Sequence, residues 1–166
     1  MIAIRELHDG EFDVLDAVFD GLSEESRFRR FHAPVRGLTA NARRALAAVD
    51  GHRHVAVAAF ADGRPIGIAR LIADGTGVCD LGVEVVDDVQ RAGVGARMLR
   101  AVADLAVAAG HLLVQAEVLS TNRAAMRLVL SVFPDAVAFP EGTTTRLVAA
   151  LPVCTSATAG TLPCAA

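Results

Sequence analysis

The 166-residue sequence contains no tryptophan, tyrosine or lysine, and all 16 of its basic side chains are arginine. No apolar run approaches the roughly 18 residues of a membrane span, because Asp, Gly or Arg repeatedly interrupts the Ala, Val and Leu. The net charge is −3 and the arginines are scattered, which argues against the clustered basic face that nucleic-acid binding requires. We therefore expect neither nucleic acid nor a membrane as a partner.

Cysteine is also scarce, and Cys79, Cys154 and Cys164 are too few and too widely spaced for a disulfide framework or a CxxC metal pair. No His/His or Cys/His spacing typical of a metal site occurs either. The first ten residues lack the basic segment and the apolar stretch of an export signal. The sequence thus predicts a cytoplasmic protein that holds no metal.

Periodicity of the apolar residues predicts the secondary structure. Spacing typical of helices occurs at residues 8–20, 23–31, 39–49, 91–109 and 120–132. Runs typical of strands occur at residues 2–7, 53–61, 65–73, 78–86, 112–119 and 143–153. The Asp62-Gly63 pair is a strong hairpin signal, so the second to fourth runs predict an antiparallel meander. We expect a loop around Pro140 and a disordered tail at 154–166, whose small polar residues bury little surface.

The segment Gln90-Arg91-Ala92-Gly93-Val94-Gly95 joins the meander to the long helix. Backbone N–H groups at a helix start lack intrahelical partners and lie at the positive end of the helix dipole, so they can bind phosphate. Gly93 and Gly95 would let a pyrophosphate approach the backbone, and Arg91 could add charge. Alternatively, both glycines only permit close packing of the helix against the sheet. A dinucleotide site would need this turn after the first strand of a parallel unit, and here it follows a meander.

At this segment the chain resembles the GNAT family of acyl-CoA-dependent N-acetyltransferases, whose hallmark Q/R-x-x-G-x-G/A matches residues 90–95. The resemblance extends in order over residues 1–153 and implies one domain there. It implies an α/β (α+β) fold with a mixed, mostly antiparallel central sheet flanked by helices, in the order β-α-α-β-β-β-α-β-α-β-β. It also implies acetyl-CoA as the cosubstrate and no metal.

In the family, the strand before the hallmark binds pantetheine through its backbone, and the amides of the hallmark turn bind the pyrophosphate. The resemblance therefore implies that acetyl-CoA is bound by Val83, Glu84, Val85, Gln90, Arg91, Ala92, Gly93, Val94, Gly95 and Ala96. Asn122 matches a family asparagine at the start of the next helix. It could equally serve as a helix cap.

Two further stretches, GLSEESRFRRF at 21–31 and EVLSTN at 117–122, resemble the acetyltransferase domain of bacterial protein lysine acetyltransferases. The resemblance implies transfer of acetyl from acetyl-CoA to a primary amine, either a protein lysine or a small amine, by direct attack in a ternary complex. Dimers are common among these relatives, so it allows a homodimer. A module that binds CoA without catalysis, or one that senses nucleotides, is the alternative for the glycine turn.

An attacking ammonium must first lose a proton, which requires a positioned carboxylate or water. The strand of the lysine acetyltransferases reads A-E-x-A, and Asp80 aligns with that glutamate. Glu84 has the same strand parity unless a bulge at 82–85 changes it, and Glu117 on the next strand is a third candidate. Alternatively, Asp80 only caps the strand entry and bulk water removes the proton.

Many relatives protonate the departing thiolate with a tyrosine, which this chain lacks. The thiolate would leave unassisted, or a water or Ser131 would protonate it. Three histidines could titrate near neutral pH, although an isolated surface histidine is more often incidental: His32, His52 and His54. Three arginines of the second helix either guide an anionic ligand or form a solvated face: Arg27, Arg29 and Arg30.

Overall fold

The computed structural model describes residues 1–151. Within them the chain forms seven strands, which are β1 Ile2–Glu6, β2 His54–Ala61, β3 Arg64–Ala73, β4 Val78–Val85, β5 Leu113–Leu119, β6 Val137–Glu141 and β7 Thr144–Ala150. It also forms five helices, which are α1 Phe12–Asp20, α2 Glu24–Phe31, α3 Ala40–Ala47, α4 Val94–Ala108 and α5 Arg123–Val132. A short 3-10 turn at Asp87–Val89 links β4 to α4.

All seven strands form one sheet in the order β1-β2-β3-β4-β5-β7-β6. Every neighbouring pair is antiparallel except β4 and β5, which are parallel. That pairing joins only Val78–Asp80 to Leu113–Gln115, and beyond it β4 and β5 continue without pairing to each other. The expected mixed, mostly antiparallel sheet is therefore present, and it opens between its two central strands.

Local signals explain where the elements begin and end. Asp62 and Gly63 both have positive φ, as the tight turn of the β2–β3 hairpin requires. Ser23 and Thr39 each accept a backbone N–H bond with their side-chain oxygen and so start α2 and α3 separately. Three helices consequently lie between β1 and β2, one more than in the family order given above.

Helices cover both faces of the central strands. A Cβ on Gly67 of β3 would lie 2.7 Å from Met98 Cε of α4, so α4 packs closely on that face. Arg70 of β3 has the opposite parity and donates to the Leu46 carbonyl of α3 at 2.8 Å. The apolar side of α4, which includes Leu99 and Val102, is fully buried in the core between helix and sheet.

The structure differs from two sequence expectations. Pro140 lies not in a loop but in β6, opposite Thr145, and proline is tolerated there because β6 is an edge strand. The register of β4 against β3 is unbroken from Cys79 to Val85, so the bulge considered at 82–85 is absent. The predicted tail at 154–166 and the last two residues of the predicted closing strand lie outside the described residues. None of the five helices described has the length and apolar character to cross a bilayer.

Candidate active site

A cleft of about 240 Å³ lies where β4 and β5 diverge. Its walls come from the two strands, from α2 on one side and from α5 on the other. The lining includes Ser26, Arg29, Arg30, Leu81, Gly82, Val83, Glu84, Val85, Gln90, Ala116, Glu117, Val118, Asn122, Ala125 and Leu128. Six of the residues predicted for acetyl-CoA binding or catalysis are thus brought together here, namely Val83, Glu84, Val85, Gln90, Glu117 and Asn122.

The backbone of β4 presents alternate residues to the cleft. Val86 N donates to the Ile66 carbonyl of β3, so the even-numbered residues of β4 bond to β3. By the same alternation, the backbone groups of the odd-numbered residues Val83 and Val85 point toward the cleft, and those of Glu84 point toward β3. The free edge of β4 can therefore pair with an extended amide-containing ligand.

The turn at residues 90–96 lies at the end of this edge. Gln90 Nε2 donates to the Val85 carbonyl at 3.0 Å and holds the turn against β4. The first helical bond of α4 runs from Arg97 N to the Gly93 carbonyl, and the amides of residues 94–96 have no acceptor within residues 1–151. No side chain caps α4. The helix start thus offers free N–H donors that suit a phosphate group.

The two glycines of the turn have different roles. Gly93 has φ +75° with open space around its Cβ position, so its requirement is conformational. Arg91 also has positive φ, at 67°. A Cβ on Gly95 would approach Leu128 Cδ2 to 2.9 Å, so Gly95 permits close packing of α4 on α5. The packing alternative therefore explains Gly95, against a helix rather than the sheet, and does not explain Gly93.

Glu84 is held between two arginines. Its carboxylate accepts from Arg30 Nε at 2.7 Å and from Arg70 Nη2 at 2.7 Å, and its side chain is 4% exposed. Burial alone would raise the pKa of Glu84, but the charges of Arg70 and Arg30 outweigh it and lower the pKa. Gly82 leaves room for this contact, since a Cβ there would lie 2.2 Å from Arg30 Nη2. Glu84 is therefore a carboxylate locked in its charged form.

Asp80 lies at the last paired position before the strands diverge. Its carboxylate is exposed and accepts from Gln115 Nε2 at 2.6 Å. It does not line the cleft. Ser131 also lies off the cleft, where its hydroxyl donates to the Leu128 carbonyl at 2.7 Å.

Glu117 lines the cleft from β5, and its side chain is 57% exposed. The residue opposite it on β7, Arg146, is bonded instead to Glu141. The ionisable group near Glu117 is His32, whose Nδ1 lies 3.5 Å from Glu117 Oε1. Glu117 is thus an accessible carboxylate without a guanidinium partner in residues 1–151.

Asn122 combines both of its expected features. Its Oδ1 accepts from Ala125 N at 3.2 Å, which caps α5, and its side chain also lines the cleft. Two arginines of α2 have different partners. Arg30 is bonded to Glu84 in the cleft, whereas Arg29 at the rim pairs with Glu25. Within residues 1–151 no group of three or more His, Cys, Asp or Glu side chains is arranged to hold a metal ion.

Sequence reasoning missed the partners of two of these carboxylates. Arg70 and Arg30 were not expected beside Glu84, nor His32 beside Glu117. One sequence pattern could have indicated that Arg30 faces inward. It lies three residues after Arg27, in a helix that also carries the apolar Phe28 and Phe31. No local pattern marks Arg70 or His32, because their partners lie on other elements.

Comparisons with known proteins agree with this geometry. Residues 15–131 match the sequence profile of the Acetyltransferase (GNAT) family. The GNAT domain of S. lividans PAT superposes with a TM-score of 0.82 at 24% identity, covering 89% of each chain. The yncA protein of Salmonella typhimurium, solved with its cofactor acetyl-CoA, gives a TM-score of 0.68 at 17% identity, covering 91% of this chain and 94% of that one.

A cAMP-binding acyltransferase from Mycobacterium smegmatis is similar over 91% of this chain but only 44% of its own length, with 24% identity and a TM-score of 0.58. No curated protein matches the chain in sequence. The family profile spans most of the chain, the sheet is split at its centre, and free amides lie at the start of α4. The chain belongs to the GNAT family of acetyltransferases. As a member, it is an acetyl-CoA-dependent N-acetyltransferase.

Proposed function

We propose that this protein transfers the acetyl group of acetyl-CoA to a primary amine by direct attack in a ternary complex. The observation that carries the proposal is the cleft between β4 and β5, which joins a free strand edge to a row of unpartnered helix-start amides. The pantetheine and the pyrophosphate of an acyl-CoA then have matching backbone donors and acceptors in the cleft and at the adjacent helix start. A protein lysine or a small amine meets the chemical requirement for the acceptor.

The residues present fit acetyl-CoA. The backbone N–H and carbonyl of Val83 and the N–H of Val85 face the cleft and are suited to the pantetheine amides, which pair like a strand. The Val85 carbonyl is already bonded to Gln90. The amides of residues 94–96 and the guanidinium of Arg91 are suited to the pyrophosphate. Asn122 lines the same cleft and completes the set.

Bound acetyl-CoA supplies an activated thioester that an amine can attack. The protein contributes position, and a backbone N–H of the β4 edge polarises the thioester carbonyl. No tyrosine exists in the chain, and Ser131 lies off the cleft. The thiolate therefore leaves without a side-chain acid, which is tolerable because a thiol has an ordinary pKa of about 8.5.

Among the three candidate carboxylates, Glu117 is the one that we assign to support of proton removal from the amine. Asp80 is bonded to Gln115 at the closed end of the cleft. The Glu84 carboxylate stays charged, and its charge is balanced by two guanidinium groups. Glu117 alone of the three both lines the cleft and accepts no bond from an arginine or an amide side chain in residues 1–151, its one ionisable neighbour being His32.

Calorimetric titration with acetyl-CoA tests the cofactor half of the proposal. We expect saturable binding near one site per chain, no comparable binding of ATP or NAD, and loss of binding in Gly93→Glu. Gly10→Glu is the matched control, because Gly10 also has positive φ and an open Cβ position but does not line the cleft. Wild-type affinity in Gly93→Glu would contradict the site.

Release of free CoA thiol in the presence of primary amines tests the catalytic half. We expect release that depends on the amine and saturates with its concentration, with both substrates bound before any product leaves. Tight acetyl-CoA binding without turnover of any amine would instead support a CoA-binding module.

A further inference from the structure

His32 ends α2 and reaches across to β5. Its Nδ1 lies 3.5 Å from Glu117 Oε1, its side chain is 25% exposed, and its Nε2 makes no hydrogen bond within residues 1–151. The pair therefore connects α2 to β5, two elements that wall the cleft. His32 is not itself a lining residue and contacts the lining through Glu117. A carboxylate beside one imidazole nitrogen, with the other nitrogen free, is the arrangement that makes histidine an effective base.

The backbone at His32 adds a second observation. Its φ and ψ are 56° and 22°, in the left-handed region, at a helix end where glycine is the usual residue. For a residue with a Cβ this conformation costs about 1 kcal/mol. The fold nevertheless holds an imidazole here, where its ring reaches Glu117.

The charged groups around the pair have other partners. On the facing strands, Asp80 is bonded to Gln115, Glu84 to Arg30 and Arg70, and Arg146 to Glu141. On α2 itself, Arg29 pairs with Glu25 and Arg27 donates to backbone carbonyls, while Glu24 and Arg36 are exposed. Within residues 1–151, the contact between the imidazole and Glu117 is the one ion pair that involves either side chain.

We propose that His32 accepts the proton of the attacking amine and that Glu117 is its positioning residue. This inference rests on the proposed function. His32 Nε2 first takes a proton from the acceptor ammonium, directly or through one water, and the neutral amine nitrogen then bonds to the thioester carbonyl carbon. As the C–S bond breaks, the second N–H proton passes to solvent and the thiolate takes a proton from solvent. His32 then releases its proton to solvent from its exposed edge, so the charge and the atoms balance.

Two conservative substitutions test the pair through the pH dependence of kcat/KM. In the wild type we expect kcat/KM to fall as the pH is lowered, because only an unprotonated imidazole can accept the proton. His32→Gln should lower the neutral rate by about 100-fold or more and abolish that acid limb. Glu117→Gln should move the limb to lower pH, because the imidazolium loses its carboxylate. His8→Gln, at an exposed histidine that follows the edge strand β1, should behave as the wild type.

His32→Gly separates catalysis from folding. Glycine adopts the left-handed conformation without strain, so the variant should fold as well as the wild type or better. We expect it to bind acetyl-CoA normally, to lose the amine-dependent rate, and to regain activity when imidazole is added to the buffer. A merely structural role of His32 would not give such rescue.

The outcomes distinguish a failure of the His32 assignment from a failure of the proposed function. A wild-type rate and acid limb in His32→Gln, or no imidazole rescue in a folded His32→Gly that binds acetyl-CoA, would overturn the assignment of His32. Loss of acetyl-CoA binding in both variants would also overturn it, in favour of a structural role. Failure of the wild type itself to bind acetyl-CoA, or to acetylate any amine, would refute the proposed function, and this inference with it.

Discussion

At the scale of single residues, a buried histidine lies on the same sheet face as buried Arg70. His54 Nδ1 donates to the Ala48 carbonyl at 2.9 Å, while its buried Nε2 has no partner in residues 1–151. Burial, and then the charge of Arg70, lowers the pKa of His54 below its ordinary value near 6.5. The ring is therefore neutral in the folded protein at neutral pH.

This neutral ring makes stability depend on pH. As the pH falls below about 6.5, the unfolded chain takes up a proton at His54 before the folded protein does, so stability is present above that pH and declines below it. Urea unfolding between pH 7 and pH 5 should show this decline in the wild type and a shallower one in His54→Phe. His8→Phe, at an exposed histidine, should keep the wild-type slope. Equal slopes in all three proteins would contradict the burial argument.

The Glu84 carboxylate gives a second prediction. Glu84→Gln leaves the guanidinium of Arg70 buried without an anion, and we expect the free energy of unfolding to fall by about 3–5 kcal/mol. The double variant Arg70→Met with Glu84→Gln should lose less, because the unpaired buried charge is gone. Urea denaturation of the full double-mutant cycle measures the difference.

The control for Glu84 is the same change of carboxylate to amide at a half-exposed pair. Asp16 binds Arg43 at 2.6 Å, but both side chains contact solvent. Asp16→Asn should therefore cost less than about 1 kcal/mol. If Glu84→Gln cost no more than this control, Glu84 would not be holding α2 and β3 together electrostatically.

At the scale of elements, Asn122 belongs to both α5 and the cleft, and one substitution separates these roles. Aspartate also caps helices well, so Asn122→Asp should keep the wild-type melting temperature. It removes the amide donor and adds a negative charge beside the proposed acetyl-CoA site, so we expect acetyl-CoA to bind about 10-fold more weakly. Asn122→Ala should lose both affinity and about 1 kcal/mol of stability. Unchanged affinity in Asn122→Asp would reduce Asn122 to a cap.

The sequence predicts the elements better than the site, because turns and helix caps depend on neighbouring residues whereas the contacts of the site join distant ones. Contiguous signals such as Asp62-Gly63 and the 90–95 turn identified a hairpin and the start of α4, because turn and cap chemistry is local. The edge strand β6 is exposed at every position, so only its pairing with β7 defines it. The pairing of Arg30 with Glu84 joins residues 54 apart in sequence, which no local pattern encodes.

At the scale of the whole molecule, the sheet consists of two antiparallel blocks, β1–β4 and β5–β7–β6. Within the sheet they are joined through Val78–Asp80 and Leu113–Gln115, at the closed end of the cleft. A ligand that pairs with the free edge of β4 would extend this short junction. Acetyl-CoA at 100 times its Kd should then stabilise the folded protein by about 2.7 kcal/mol.

Amide hydrogen exchange resolved by NMR can show where this stabilisation acts. The backbone amides of Val83 and Val85 point toward the cleft, so we expect acetyl-CoA to slow their exchange strongly, together with that of residues 94–96. The amides of Gly82 and Glu84 already bond to β3 and should gain only the protection due to global stabilisation.

Protection from exchange that alternates between odd and even residues of β4 would therefore indicate that the ligand pairs with β4 as a strand does. ATP should not produce it, and Gly93→Glu should lose it at equal acetyl-CoA concentration. Equal protection of odd and even positions would mean that acetyl-CoA stabilises the fold without pairing with β4, which would place its pantetheine elsewhere.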